Sequence, residues 1–122
     1  MFQGLRTVSY HTPDIAKGKE WYSKALGIMP YFDQPFYVGF NVGGYELGLV
    51  PDGEGSAKRS SGVVAYWGVD DVSAEYKRLL DLGATSVEEA KDVGDGIIVA
   101  SVKDPFGNTF GIIHNPHFKL PS

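Results

Sequence analysis

No cysteine occurs among the 122 residues. That excludes disulfides, thiolate metal sites and a cysteine nucleophile, and it fits a cytoplasmic protein. No apolar run reaches the roughly 18 residues that a membrane-spanning helix needs. The opening stretch, Met1 to Arg6, lacks the charged-then-apolar pattern of a secretory leader. Basic residues are outnumbered, eleven Lys and Arg against fifteen Asp and Glu, for a net charge of −4 and a pI near 5.2. A nucleic-acid surface needs clustered Lys and Arg, so neither nucleic acid nor a membrane is an expected partner. Gly-x-Ser-x-Gly and His-Glu-x-x-His are absent too. Gly53-Glu54-Gly55 and Gly94-Asp95-Gly96 each lack the third glycine of a phosphate-cradling loop.

What remains is an ordinary globular composition, 43% apolar and 21% charged, long enough for one real core. Sixteen Gly and seven Pro predict many tight turns. Leu5 to Thr12 reads as a strand with Thr7, Ser9 and His11 on one face and Val8 and Tyr10 on the other. Asp14 is placed as the cap of a helix whose stripe of Ile15, Gly18, Tyr22, Ala25 and Leu26 faces the core, with Gly27 as its stop. Strands are expected at Met29–Phe32, Phe36–Val42 and Tyr45–Val50, with hairpin chemistry at Asn41–Gly44. Residues 51–62, rich in Gly, Ser and charge, read as a linker. Beyond it come a strand at Val63–Val69, a helix capped by Asp71 and ending at Leu82-Gly83, and strands at Thr85–Ala90, Gly96–Lys103 and Thr109–His114. A turn at Asp104–Asn108 precedes the last of them.

The pattern repeats. Asp14 precedes Gly27 by 13 residues and Asp71 precedes Gly83 by 12; Thr7 and Val64 each lie 7 residues before the capping Asp. Each half is one strand, one helix and three strands, too small to hold a core alone. The expected fold is α+β, a single domain over residues 1–122 with module one at about 3–51, a linker at about 52–62 and module two at about 63–116.

This tandem βαβββ order resembles the vicinal oxygen chelate superfamily, which includes glyoxalase I, bleomycin-resistance proteins, methylmalonyl-CoA epimerase and extradiol dioxygenases. The carriers are Thr12-Pro13-Asp14-Ile15, Glu20 to Gly27, Gly43-Gly44-Tyr45-Glu46-Leu47, Val69-Asp70-Asp71-Val72, Leu82-Gly83-Ala84 and Asp104-Pro105-Phe106-Gly107-Asn108. The resemblance implies a sheet-walled cleft and a homodimer. In metal-dependent members, His and Glu at four positions hold a divalent ion that polarises a pair of substrate oxygens. Those positions fall here on Thr7, Glu46, Val64 and Gly111, so one carboxylate stands where four ligands are needed. No metal site or cofactor is therefore assigned; Zn or Ni belongs only to an alternative in which Glu46 and His11 form a relocated pair.

Glu46 is the candidate catalytic residue, a general base with its pKa raised by burial; the alternative is a solvent-facing strand carboxylate. Thr7, Ser9, His11 and Tyr66 are candidate polar ligand contacts. Val64, Gly111 and Ile113 would give an apolar floor, with Gly111 leaving room for ligand bulk. Tyr37 and Asn41 share one strand face whose direction the sequence leaves open. Trp21 and Tyr22 read as core, and Trp67 packs against a helix or partner. His114 and His117 belong to a tail or interface. The leading expectation is a small, partly apolar or aromatic molecule held in a metal-free cleft, with possible acid/base chemistry at Glu46. The alternatives are a metal-dependent glyoxalase-like lyase or isomerase and a non-catalytic interaction domain.

Overall fold

The computed structural model describes residues 1–51 and 63–118; the expected linker at 52–62 lies outside them. In the first module come β1 (Thr7–Thr12), α1 (Ile15–Leu26), β2 (Phe32–Gln34), β3 (Tyr37–Val42) and β4 (Tyr45–Pro51). In the second come β5 (Tyr66–Gly68), α2 (Val72–Asp81), β6 (Thr85–Asp92), β7 (Ile98–Lys103) and β8 (Thr109–His114). The chain divides into two compact units, residues 1–58 and 59–122. Each carries a four-stranded sheet of the same order, β1-β4-β3-β2 and β5-β8-β7-β6. The first and last strands of each module pair in parallel and the others antiparallel. The protein is thus α+β, built of two tandem βαβββ modules, and no helix among the described residues is long and apolar enough to cross a membrane.

Local chemistry sets the element ends. The Asp14 carboxylate accepts from the Ala16 and Lys17 N–H groups at 3.0 and 3.2 Å, and Gly27 closes α1 in the left-handed region at φ 71°, where a side chain would be strained. Asp71 caps α2 through the Ala74 N–H at 3.0 Å. In the hairpin between β3 and β4, Asn41 Oδ1 accepts from the Gly44 N–H at 2.8 Å. Before β8, the buried Asp104 carboxylate accepts from the Phe106 and Asn108 N–H groups and from Asn108 Nδ2, all at 2.8–2.9 Å.

Alternation does the rest. In the first sheet Tyr10, Val38, Phe40, Leu47 and Leu49 are buried on the face under α1, against Trp21, Tyr22 and Ala25. Tyr10 stacks on Tyr22 at 5.6 Å between ring centres. Gly18 lets α1 approach Thr12: a Cβ there would lie 2.9 Å from Thr12 Cγ2. The second sheet buries Ala100, Val102, Phe110 and Ile112 with Val72 and Leu79 of α2, and Trp67 stacks on Phe110 at 6.5 Å.

Two expected strands move. β2 runs Phe32–Gln34 rather than 29–32, because Pro30 has no N–H for the ladder and pairing with β3 begins only at Tyr31, which donates to the Gly39 carbonyl at 2.9 Å. β5 is shorter than 63–69: its backbone bonds to β8 run from the Ala65 carbonyl to the Val69 N–H, so Val64 lies ahead of the strand. Downstream of β8, His117 Nε2 lies 2.7 Å from the Asp95 carbonyl oxygen, tying the chain after β8 to the turn between β6 and β7.

Candidate functional site

The face of the first sheet turned away from α1 has a different character. Thr7, Glu46 and Asn41 stand side by side in one row of the ladder; Ser9, Gly48, Gly39 and Phe32 form the next. Glu46 therefore sits on the inner strand β4 between two neighbours, not on an edge. Tyr37, one row further on, reaches back across Gly48 and donates its phenol hydrogen to Glu46 Oε1 at 2.6 Å. Tyr31, just ahead of β2, donates to Glu46 Oε2. Thr7 pairs with Glu46 across the ladder and lies beside the same cluster.

Two strand-interior glycines make this possible. A Cβ at Gly48 would lie 2.7 Å from Tyr37 Cζ, and one at Gly39 would lie 2.9 Å from Glu46 Oε2 and 3.0 Å from Tyr31 Cε1. The first two distances are shorter than a real Cβ contact and the third is unusually tight, so the paired glycines are the floor on which the two phenols and the carboxylate lie.

The bonds set the charge state. Hydrogen bonding from Tyr31, then from Tyr37, holds the Glu46 carboxyl below its ordinary value, while burial opposes this more weakly. The Tyr31 phenol is pushed up, chiefly by its bond to Glu46; the Tyr37 phenol is pushed up by burial and by the same carboxylate. This corrects the expectation that burial raises the Glu46 pKa. Two donors outweigh a modest desolvation, leaving an ionised and correspondingly weak base. Among the described residues Glu46 has no Lys, Arg or His partner.

The other candidates spread out. Thr7 and Ser9 lie on the Glu46 face and are exposed. His11 shares that face but pairs with Val50, four residues along β1 from Thr7, about 13 Å by strand rise. Tyr37 and Asn41 prove to share the Glu46 face. In the second module Tyr66 pairs with Gly111, with Ile113 next on that face of β8. The space above Gly111 is not left for a ligand: a Cβ there would lie 2.7 Å from both Tyr66 Cδ1 and the Ala65 carbonyl oxygen. That corrects the expected role of Gly111, because the Tyr66 ring already fills the gap. Val64 is half-buried ahead of β5. The residue sequence reasoning missed is Tyr31. The signal that could have found it is the pair of glycines inside β3 and β4, which marks close approach of other groups.

The donor set does not fit a metal. Of the four positions the resemblance supplies, Val64 and Gly111 have no donor atom and both Glu46 oxygens are engaged by phenols. The frame is also out of step. Ser9 and Tyr66 each lie five residues before the helix cap, and they pair with Gly48 and Gly111 respectively. Glu46 is thus the counterpart of Thr109, two residues short of Gly111. No group of three His, Cys, Asp or Glu side chains able to hold an ion occurs among the described residues.

The fold recurs in solved structures. A glyoxalase-related enzyme from Fulvimarina pelagi is 18% identical with a TM-score of 0.81, the match covering 99% of this chain and 94% of that one. A glyoxalase/bleomycin resistance protein/dioxygenase family enzyme from Burkholderia phytofirmans PsJN is 19% identical with a TM-score of 0.77, covering 92% and 98%. A lactoylglutathione lyase from Agrobacterium tumefaciens is 17% identical with a TM-score of 0.73, covering 94% and 97%. At such identities the likeness is one of fold. No curated protein matches the sequence significantly. A sequence profile does match, over residues 4–112, and by it the chain belongs to the glyoxalase/bleomycin resistance protein/dioxygenase superfamily.

Proposed function

We propose that the protein binds a small, partly aromatic molecule on the Glu46 face of the first-module sheet, without a resident metal, and that both modules act as one domain. The observation that carries this reading is the carboxylate of Glu46 held by two phenols on a glycine floor. Such a group is pre-positioned at no further ordering cost. Beside it, Tyr31 and Phe36 are 63% and 66% exposed, and the Phe36, Phe32 and Tyr37 rings follow one another at 6.1 Å spacings. Exposed aromatic surface next to fixed polar groups is the usual make-up of a small-molecule site.

In this reading Glu46 is an anchor rather than a proton-abstracting base, since its bonds favour the ionised form and weaken its basicity. The test is a fragment screen followed by NMR on labelled protein. Ligands are expected to move the Tyr31, Tyr37 and Gly48 resonances, and Glu46→Gln is expected to weaken them. If every hit leaves this face unmoved, the assignment of the site is wrong.

A further inference from the structure

We infer that the Glu46 cluster selects ligands that bring hydrogen-bond donors and positive charge, namely a small aromatic or arylalkyl ammonium, and rejects anions. The inference rests on the small-molecule reading above and narrows its ligand class.

The protons of the cluster can be counted. A phenol has one O–H, and those of Tyr31 and Tyr37 both go to Glu46. Both phenol protons are therefore spent on the carboxylate. What these three groups can offer outward is lone pairs only: those left on the two carboxylate oxygens and those on the phenol oxygens. Neither the phenols nor the carboxylate has a donor left for an oxyanion or a ketone; the hydroxyls of Thr7 and Ser9 and the Asn41 amide stand beside them. An ammonium supplies up to three N–H groups and meets acceptors throughout.

Charge points the same way. Glu46 is ionised, and no Lys, Arg or His among the described residues neutralises it. Its hydrogen-bond partners are neutral and spread the charge without cancelling it. The flanking surface is aromatic. The faces of Tyr31, Phe32 and Phe36 attract a cation through their quadrupoles, and they bury the hydrocarbon part of an arylalkyl amine. An ionised carboxylate without a cationic partner, two phenols whose protons it has taken, and aromatic walls together describe a receptor for an organic cation.

The experiment compares three probes of nearly equal shape, phenethylammonium, phenethyl alcohol and hydrocinnamate, by NMR titration of the intact protein at neutral pH. The cation is expected to bind with shifts at Tyr31, Tyr37 and Glu46, about tenfold or more tighter than the alcohol, and hydrocinnamate is expected not to bind. Glu46→Gln should erase the preference; Tyr37→Phe, which keeps the charge, should retain it. The wild-type comparison stands by itself if a variant fails to fold. If alcohol or hydrocinnamate binds this face as tightly as the cation, the cation inference is overturned while the small-molecule reading survives. If none of the three moves this face and a screen finds nothing else that does, both fail.

Discussion

Replacing Gly48 by Ala should dismantle the cluster without touching any of its functional atoms. The added Cβ would sit 2.7 Å from Tyr37 Cζ and 3.0 Å from Cε1, so the ring must swing away. Because the clash is with the far end of a side chain and not with backbone, the overpacking cost falls at the low end of its usual range, about 1 kcal/mol. The displaced ring also loses its bond to the Glu46 carboxylate, worth about 1.5 kcal/mol for a half-buried charge-assisted bond. Ala gains about 0.5–1 kcal/mol over Gly inside a strand. The net loss is about 1.5–2 kcal/mol, a fall in midpoint of roughly 6–8 °C for a chain of this size. In a Tyr37→Ala background only the last contribution remains, so the same substitution becomes neutral or slightly stabilising. Thermal unfolding of the four proteins closes a double-mutant cycle with an expected coupling of about 2–3 kcal/mol. NMR titration supplies a second readout: the Glu46 carboxyl should move up toward its ordinary value in Gly48→Ala. An equal destabilisation in both backgrounds, or an unmoved Glu46 titration, would refute the picture of Tyr37 lying across Gly48.

Other outcomes follow from the same geometry. Gly111→Ala should cost more than Gly48→Ala, about 2–3 kcal/mol, since its Cβ meets the Ala65 carbonyl as well as the Tyr66 ring; calorimetry of the two variants ranks them. The pH dependence of stability should have two flanks. The Glu46 carboxyl is lowered from 4.5, so its contribution is complete above that pH and is lost as the pH falls through the native value. Tyr31 and Tyr37 are raised from 10.0, so theirs is complete below pH 10 and is lost as the pH rises through the native values. Glu46→Gln should flatten both flanks in denaturant melts across pH. Thr12→Val should stabilise by about 1 kcal/mol, because Thr12 Oγ1 is buried with no hydrogen-bond partner among the described residues and valine keeps its shape; a lowered melting point would contradict that. Asp104→Ala should cost about 2–4 kcal/mol, since it strips three bonds from a buried turn, and it should leave ligand titrations at Glu46 unchanged.

The legible parts of the sequence were those fixed by a few neighbouring residues. Asp14 and Asp71 cap their helices by bonds to groups two or three residues on, and β8 occupies Thr109–His114 as the turn chemistry of Asp104–Asn108 requires. The repeat could be counted, and the identical sheet orders are its consequence. Less legible were features set by distant partners. The charge state of Glu46 depends on Tyr37 and Tyr31, 9 and 15 residues away, and no spacing rule brings phenols from β3 and from ahead of β2 to a carboxylate on β4. The family's ligand frame misled for a related reason. It was matched by local motif, whereas the ladder pairs Thr7 with Glu46 and Tyr66 with Gly111, a difference of two residues that only strand register reveals.

The strict alternation of the first sheet has a practical side. Val38, Phe40, Leu47 and Leu49 belong to the layer beneath α1, while Tyr37, Asn41 and Glu46 look the other way. Residues that hold the module together and residues that would meet a ligand are therefore interleaved in sequence but separate in space. A library randomised at Ser9, Tyr31, Asn41 and Glu46 would explore new ligand preferences with the core composition untouched. Gly39 and Gly48 would have to be kept, since they set how close any replacement can lie to the sheet. The module is in that sense already laid out as a scaffold for engineered recognition.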